Sequence, residues 1–154
     1  MLIKKANPED LGAFLKLREH SVMMLAGTHY SREQLEAWVR NIDVSVISSL
    51  FSTDRFFIGE SEDQEITCGG SWQGQEIIYF YVSPKFSRQG WGTALLKRIE
   101  QDYTEQAGHP FILAEASNNA RPFYRVNGYD FVSLEKGNDE GRVPYTYSVM
   151  KKAL

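Results

Sequence analysis

Cys68 is the only cysteine in the chain. Its isolation excludes an intramolecular disulfide and a cysteine-built metal cage. The three histidines, His20, His29 and His109, are scattered without ligand spacing, so no metal is expected. No apolar run approaches the roughly 18–20 residues that cross a bilayer, and the opening MLIKKANPED has no apolar signal core. These absences point to a cytoplasmic protein. Repeats, low-complexity tracts and long linkers are also missing, so residues 1–154 are expected to form a single domain with a real core. A net charge of −3 argues against a general nucleic-acid or membrane-surface binder, which would be basic overall.

What is present is patterned. Leu2 to Lys5 reads as a first strand. Asn7 offers an N-cap before Pro8, with Glu9 and Asp10 in the first turn. Leu11, Phe14, Leu15, Arg18 and Val22 then fall at helical spacing, which predicts a helix from Pro8 to Met24. Ser31 and Gln34 have capping-box spacing ahead of a second helix from Arg32, with a further turn or two up to Phe51. RFFIGES, ITCGGSWQ and EIIYFYV read as three consecutive strands. A helix with Leu95, Leu96, Ile99 and Tyr103 inward follows, and Gly108 stops it. FILAEA is a strand, and NNARPFYRVNG is a short helix entered at Asn118 or Asn119. YDFVSLEKG and VPYTYSVMKKA close as a pair across a turn from Asn138 to Gly141. The expected order is β-α-α-β-β-β-α-β-α-β-β: an α/β (α+β) domain whose mixed, mostly antiparallel sheet is flanked by about four helices.

The most informative stretch runs from Ile77 to Glu100. It is a buried strand, a loop ending in Gly90-Trp91-Gly92, and a helix, so free backbone N–H groups collect at a helix N-terminus, where a phosphate binds readily. From Ile77 to Ile99 it has no acid but carries Lys85, Arg88, Lys97 and Arg98, in a chain that is acidic overall. A P-loop would need Lys-Ser or Lys-Thr after the last glycine, and Thr93-Ala94 stand there. A dinucleotide fingerprint would need a third glycine where Leu95 stands. A plain tight turn remains open on these residues alone.

A second motif decides between them. FYVSPKFSRQGWGTALL resembles the acyl-CoA-binding segment of the GNAT superfamily of N-acetyltransferases, and ASNNARPFYRVNGYDFV resembles that family's second signature, with Ala120, Tyr124, Gly128 and Tyr129 at its spacing. IKKANPEDLGAFLKL is similar to the family's first strand and helix, so the resemblance covers nearly the whole chain. Ser87 and Ser117 depart from the usual Arg or Gln and the usual Asn; a subset of the family reads A-S-x-x-A-x-P-F-Y, as here.

The resemblance implies the GNAT fold and an acetyl-CoA-dependent N-acetyltransferase that moves an acetyl group to an amine by direct attack in a ternary complex. It implies acetyl-CoA as co-substrate, with the pyrophosphate on the backbone of Ser87, Arg88, Gln89, Gly90, Trp91, Gly92 and Thr93. The pantetheine arm would lie along Phe80, Tyr81 and Val82, with Asn119 and Phe123 shaping the groove. Tyr124 takes the general-acid position, where a phenol can protonate the leaving thiolate. Glu76, Glu115 and His29 are the candidate bases. His29, Tyr30, Trp72 and Tyr79 are the candidate acceptor-site residues. The acceptor would be a small-molecule or peptide amine; a homodimer is compatible with the fold, and neither nucleic acid nor membrane is a partner. A non-catalytic acyl-CoA-binding or sensing module is the alternative on the same fold, and a mononucleotide-binding domain is a third.

Overall fold

The computed structural model describes residues 1–139 and 143–154. The turn expected from Asn138 to Gly141 lies largely outside them. Seven strands form one sheet: β1 (Leu2–Lys5), β2 (Phe56–Glu60), β3 (Ile66–Gln73), β4 (Glu76–Val82), β5 (Phe111–Ser117), β6 (Asp130–Asp139) and β7 (Val143–Ala153). Their spatial order is β1-β2-β3-β4-β5-β7-β6, and every neighbouring pair is antiparallel except β4–β5.

The helices are α1 (Leu11–Leu25), α2 (Arg32–Arg40), α3 (Val44–Ser52), α4 (Trp91–Gln106) and α5 (Arg121–Val126). Pro8–Asp10 form a short 3₁₀ turn ahead of α1, where the Asp10 carboxylate accepts from the Asn7 N–H at 2.8 Å. The Ser31–Gln34 capping box forms as the spacing predicts, with both reciprocal bonds present. There is one helix more than expected, because the segment after Arg40 breaks and restarts. Asp43 caps α3 by accepting from the N–H groups of Ser45 and Val46. α5 starts later than expected, since Asn118 is engaged elsewhere: its Nδ2 donates to the Thr146 hydroxyl on β7.

Side-chain alternation along the strands divides the core in two. Phe57, Ile77, Ile112, Ala114 and Met150 pack under α4 with Leu95, Leu96, Ile99 and Tyr103. Phe56 and Ile58 pack on the other face, against Phe14 of α1 and Ile47, Leu50 and Phe51 of α3. α2 is fastened mainly by polar contacts: the buried Arg18 guanidinium donates to the carbonyls of Trp38, Val39 and Asn41, at the end of α2 where backbone acceptors run short of intrahelical donors.

Two irregularities position the site. β4 and β5 pair only at Glu76–Leu113 and Ile77–Ala114, then separate. Just past that point β4 bulges: Gly69 pairs with Tyr81 and Ser71 with Ile78, so Gly70 alone faces both Tyr79 and Phe80. Tyr79 adopts φ +53°, a conformation that costs a non-glycine residue of order 1 kcal/mol. A Cβ at position 70 would come within 3.2 Å of the Phe80 Cα and 3.3 Å of Ile99.

Gly70→Ala is therefore expected to displace the bulge and to destabilise by about 1–3 kcal/mol, the usual range for overpacking. A urea midpoint equal to that of the parent protein would contradict this account.

Candidate active site

The separation of β4 from β5 opens a cavity of about 1050 Å³ that runs through the sheet. On one side it reaches the loop before α4. On the other it is roofed by α1 and α2 and walled by β7. It brings together Glu76, Tyr79, Phe80, Tyr81, Val82, Ser87, Arg88, Gly90, Gly92, Thr93, Glu115, Asn119, Phe123, Tyr124 and Tyr30.

At the loop end, the Ala94 N–H donates to the Gly90 carbonyl and opens the ladder of α4. Among the described residues, the six N–H groups from Arg88 to Thr93 have no acceptor within the protein. Gly90 sits at φ +92° as the N-cap and supplies no side-chain cap, so those donors stay free. Gly92 is packed from inside the molecule: a Cβ there would meet Phe123 and Val82, both at 3.2 Å. Close packing inside the molecule is thus one reason for a glycine here.

The local cationic character is partly answered within the protein. Lys85 bonds Glu65 at 2.6 Å, and Arg98 lies 3.8 Å from Asp102. Arg88 is exposed on the cavity rim, with no ion-pair partner among the described residues. The Ser87 hydroxyl donates to the Pro84 carbonyl at 3.0 Å. The Gln89 side chain turns back to the Lys85 carbonyl, and the Trp91 ring is buried in the core, so these two bring only main chain to the loop.

Along β4 the main chain beyond Ile77 is unpaired on its β5 side. The Ser83 N–H donates to the Thr67 carbonyl on β3, so by alternation Val82, and before it Phe80, turn their main-chain groups into the gap. Tyr124 stands across this gap, 5% exposed, with its ring 6.1 Å from that of Phe80 and 5.2 Å from that of Phe123. Its hydroxyl has no hydrogen-bond partner among the described residues. Burial, and secondarily Tyr81, raise its pKa well above the ordinary phenol range, so it stays protonated at neutral pH.

The far side of the cavity is aromatic and acidic. Tyr30 ties the α1–α2 loop to this wall: its hydroxyl donates to the Thr146 carbonyl and accepts from the Asn118 N–H, both at 2.8 Å. Strand register places Glu115 level with Ile78, one residue short of the bulge, and Glu76 two residues further back. Glu115 is exposed to the cleft, where partial desolvation, then the charge of Glu76, raise its pKa. Tyr145 and Tyr147 complete the wall.

Two expected acceptor residues lie elsewhere. Trp72 pairs with Ile77 and shares its face, so its indole is buried against α4, donating to Asp102 at 2.9 Å and meeting Tyr103 edge-on. His29 is exposed in the α1–α2 loop, beside the Thr28 hydroxyl, and does not line the cavity. Sequence reading missed Tyr145 and Tyr147, although the period-two run VPYTYSV carries the signal that places both on one face. Cys68 is fully buried and its thiol is pushed up to about 11 by that burial, so it is a poor nucleophile. Among the described residues, no group of three His, Cys, Asp or Glu side chains is placed to hold a metal, and no helix is long and apolar enough to cross a membrane.

Comparison with known proteins agrees with this architecture. The model of the acetyltransferase (GNAT) domain matches residues 27–148. An uncharacterized N-acetyltransferase of Escherichia coli K12, YafP, is 25% identical over 134 residues, which cover 87% of this chain and 84% of that protein. A GCN5-related N-acetyltransferase from Rhodopseudomonas palustris superposes with a TM-score of 0.88 at 23% identity, covering 99% of this chain and 95% of the other. The PaiA N-acetyltransferase of Thermoplasma acidophilum, solved in complex with coenzyme A, has a TM-score of 0.73 at 18% identity, covering 99% and 98%. The family match spans most of the chain, and with it the protein belongs to the GNAT acetyltransferases and is an acyltransferase enzyme.

Proposed function

We propose that this enzyme transfers an acetyl group from acetyl-CoA to a cationic amine by direct attack within a ternary complex. The observation that carries the reading is the row of six free N–H groups at the start of α4, set beside the unpaired edge of β4. Such a row, at the positive end of a helix, suits a pyrophosphate. The free edge suits the amide groups of a pantetheine arm, which would add to β4 like another strand. PaiA, a relative in fold, was solved with coenzyme A. Asn119 borders the same groove and has a buried Oδ1 without a partner among the described residues, which leaves an acceptor for the cofactor.

In the reaction the free amine forms a bond to the thioester carbon. A main-chain N–H of the bulged stretch stabilises the charge that develops on the carbonyl oxygen. The C–S bond breaks as the intermediate collapses, and the thiolate takes the Tyr124 proton. Glu115 is the preferred base for the proton the amine must lose, since it stands nearest the bulge and its pKa is raised by desolvation and by the charge of Glu76. Glu76 is the second candidate. Cys68, buried and protonated, offers no route through an acyl-enzyme. The Glu76–Glu115 wall, with Tyr79, Tyr145 and Tyr147, favours a positively charged acceptor.

Ligand class is tested by thermal shift. Acetyl-CoA or CoA at about 100 times its dissociation constant should stabilise the protein by roughly 2.7 kcal/mol, and protection by ATP or NAD but not by CoA would contradict the reading. Tyr124→Phe should lower kcat by about 10²-fold or more, the scale of general-acid catalysis, while CoA still protects. Thiol release from acetyl-CoA with 1,4-diaminobutane, L-lysine, an aminoglycoside and a peptide bearing a free N-terminus reads this directly.

Acid inactivation follows from the raised Glu115 pKa. The carboxylate must be ionised to act, so turnover should fall as pH drops through a value above the ordinary carboxylate range. In Glu115→Gln that limb should vanish along with most of the activity. An unchanged acid limb in this variant would move the base to Glu76.

A further inference from the structure

Glu100 of α4 is a carboxylate in the core, 9% exposed. Its oxygens accept from the Lys152 ammonium at 3.0 and 2.8 Å, and Oε1 also accepts from the Tyr129 hydroxyl at 2.9 Å. The contact joins α4 to β7 and to the turn after α5. A buried ion pair is weak evidence for stability, because desolvation offsets most of its Coulombic gain and apolar packing would serve as well. What it supplies in addition is direction.

The direction is passed to Tyr124. Tyr129 is 1% exposed, and its ring meets that of Tyr124 edge-on, with centroids 5.2 Å apart and planes at 72°. Its main-chain N–H donates to the Tyr124 carbonyl at 3.0 Å. Tyr124 is therefore gripped at both ring and backbone by a residue whose own tip is bonded to α4. Since the Tyr124 hydroxyl has no partner of its own among the described residues, its aim depends on ring packing, which Tyr129 shares with Phe80 and Phe123. Lys152 holds the Glu100 charge, and the groups that raise the Tyr124 pKa are burial and Tyr81, so the cluster acts on Tyr124 through orientation.

We propose that Tyr129, anchored by Glu100 and Lys152, is a positioning residue that fixes the Tyr124 phenol over the gap between β4 and β5. The inference rests on Tyr124 as the proton donor to the departing thiolate, and the test separates the two.

Four proteins form a cycle: parent, Tyr124→Phe, Tyr129→Phe and the double variant. With the panel amine that is turned over fastest, Tyr129→Phe is expected to lower kcat by about tenfold and leave KM for acetyl-CoA unchanged, a loss confined to the chemical step. In the Tyr124→Phe background the same substitution should change kcat by less than about twofold, because residues acting as a unit are not additive. Equal losses in both backgrounds overturn the proposal and leave the proton-donor reading standing. No loss in Tyr124→Phe itself overturns that reading and the inference with it. Glu100→Gln keeps an oxygen for the Tyr129 hydroxyl while Lys152 can turn to solvent, so it should retain most of kcat, whereas Glu100→Leu should match Tyr129→Phe. A readout that needs no acceptor is the tyrosine ring NMR spectrum of the CoA-saturated protein. The signal lost in Tyr124→Phe belongs to Tyr124, and in Tyr129→Phe it should shift and broaden; an unchanged signal also overturns the proposal.

Discussion

The parting of β4 from β5 is the constraint on which the rest of this molecule depends. A parallel pair in the middle of a seven-stranded sheet would normally continue for the length of its strands. Here it stops after two residue pairs, and the bulge at Tyr79 and Phe80 turns β4 away. The break leaves main-chain donors and acceptors without partners, which is costly inside a protein unless water or a ligand satisfies them. It also sets the places of the other parts. α4 begins where β4 delivers the chain, α5 follows β5 on the opposite lip, and Tyr124 projects from α5 across the opening.

Charge is distributed along the cavity in a way that overall composition hides. A net charge of −3 describes no region of it. The end near α4 offers six N–H groups and Arg88, while the end near β7 presents Glu76 and Glu115. The side chains that would blur this polarity are occupied: Lys85 by Glu65, Arg98 by Asp102, and Arg18 by three carbonyls of the α2 terminus. An anionic group at one end and a cationic group at the other would thus not compete for the same charges.

Most of the fold and the free donors before α4 were legible in the sequence, for identifiable reasons. Strand runs, the Ser31 capping box and the inward Leu95–Tyr103 stripe are local signals, and local signals survive folding. The free donors before Ala94 follow from the glycines and from the absence of a capping side chain. Trp72 was misplaced because an aromatic beside a cavity strand looks like lining. Only the register with Ile77 assigns its face, and register is a relation between strands. His29 was misplaced because loop length does not say which way a loop side chain turns. The third helix depended on a restart at Asp43, a weaker signal than the one at Ser31. The bulge could not be foreseen, since Tyr79 carries no mark of a left-handed conformation and the glycine that permits it, Gly70, lies on the neighbouring strand.

The same distinction explains why the β7 end of the cavity is harder to read than the α4 end. The free donors before α4 are a property of the backbone, so they are tied to glycine spacing and the start of a helix, both continuous in sequence. The wall at the β7 end is assembled from β4, β5, β7 and the α1–α2 roof, brought together by contacts up to 116 residues apart, such as Tyr30 with Thr146. That roof is held largely by polar bonds from Arg18, Tyr30 and Gln34 to backbone carbonyls, with a smaller apolar cluster around Val22, Ala26 and Leu35. The side chains that make these bonds also line the cavity, and Trp38 joins the roof to β4 by donating to the Tyr81 hydroxyl at 3.0 Å, so the wall at this end and its fastening share residues that are far apart in sequence.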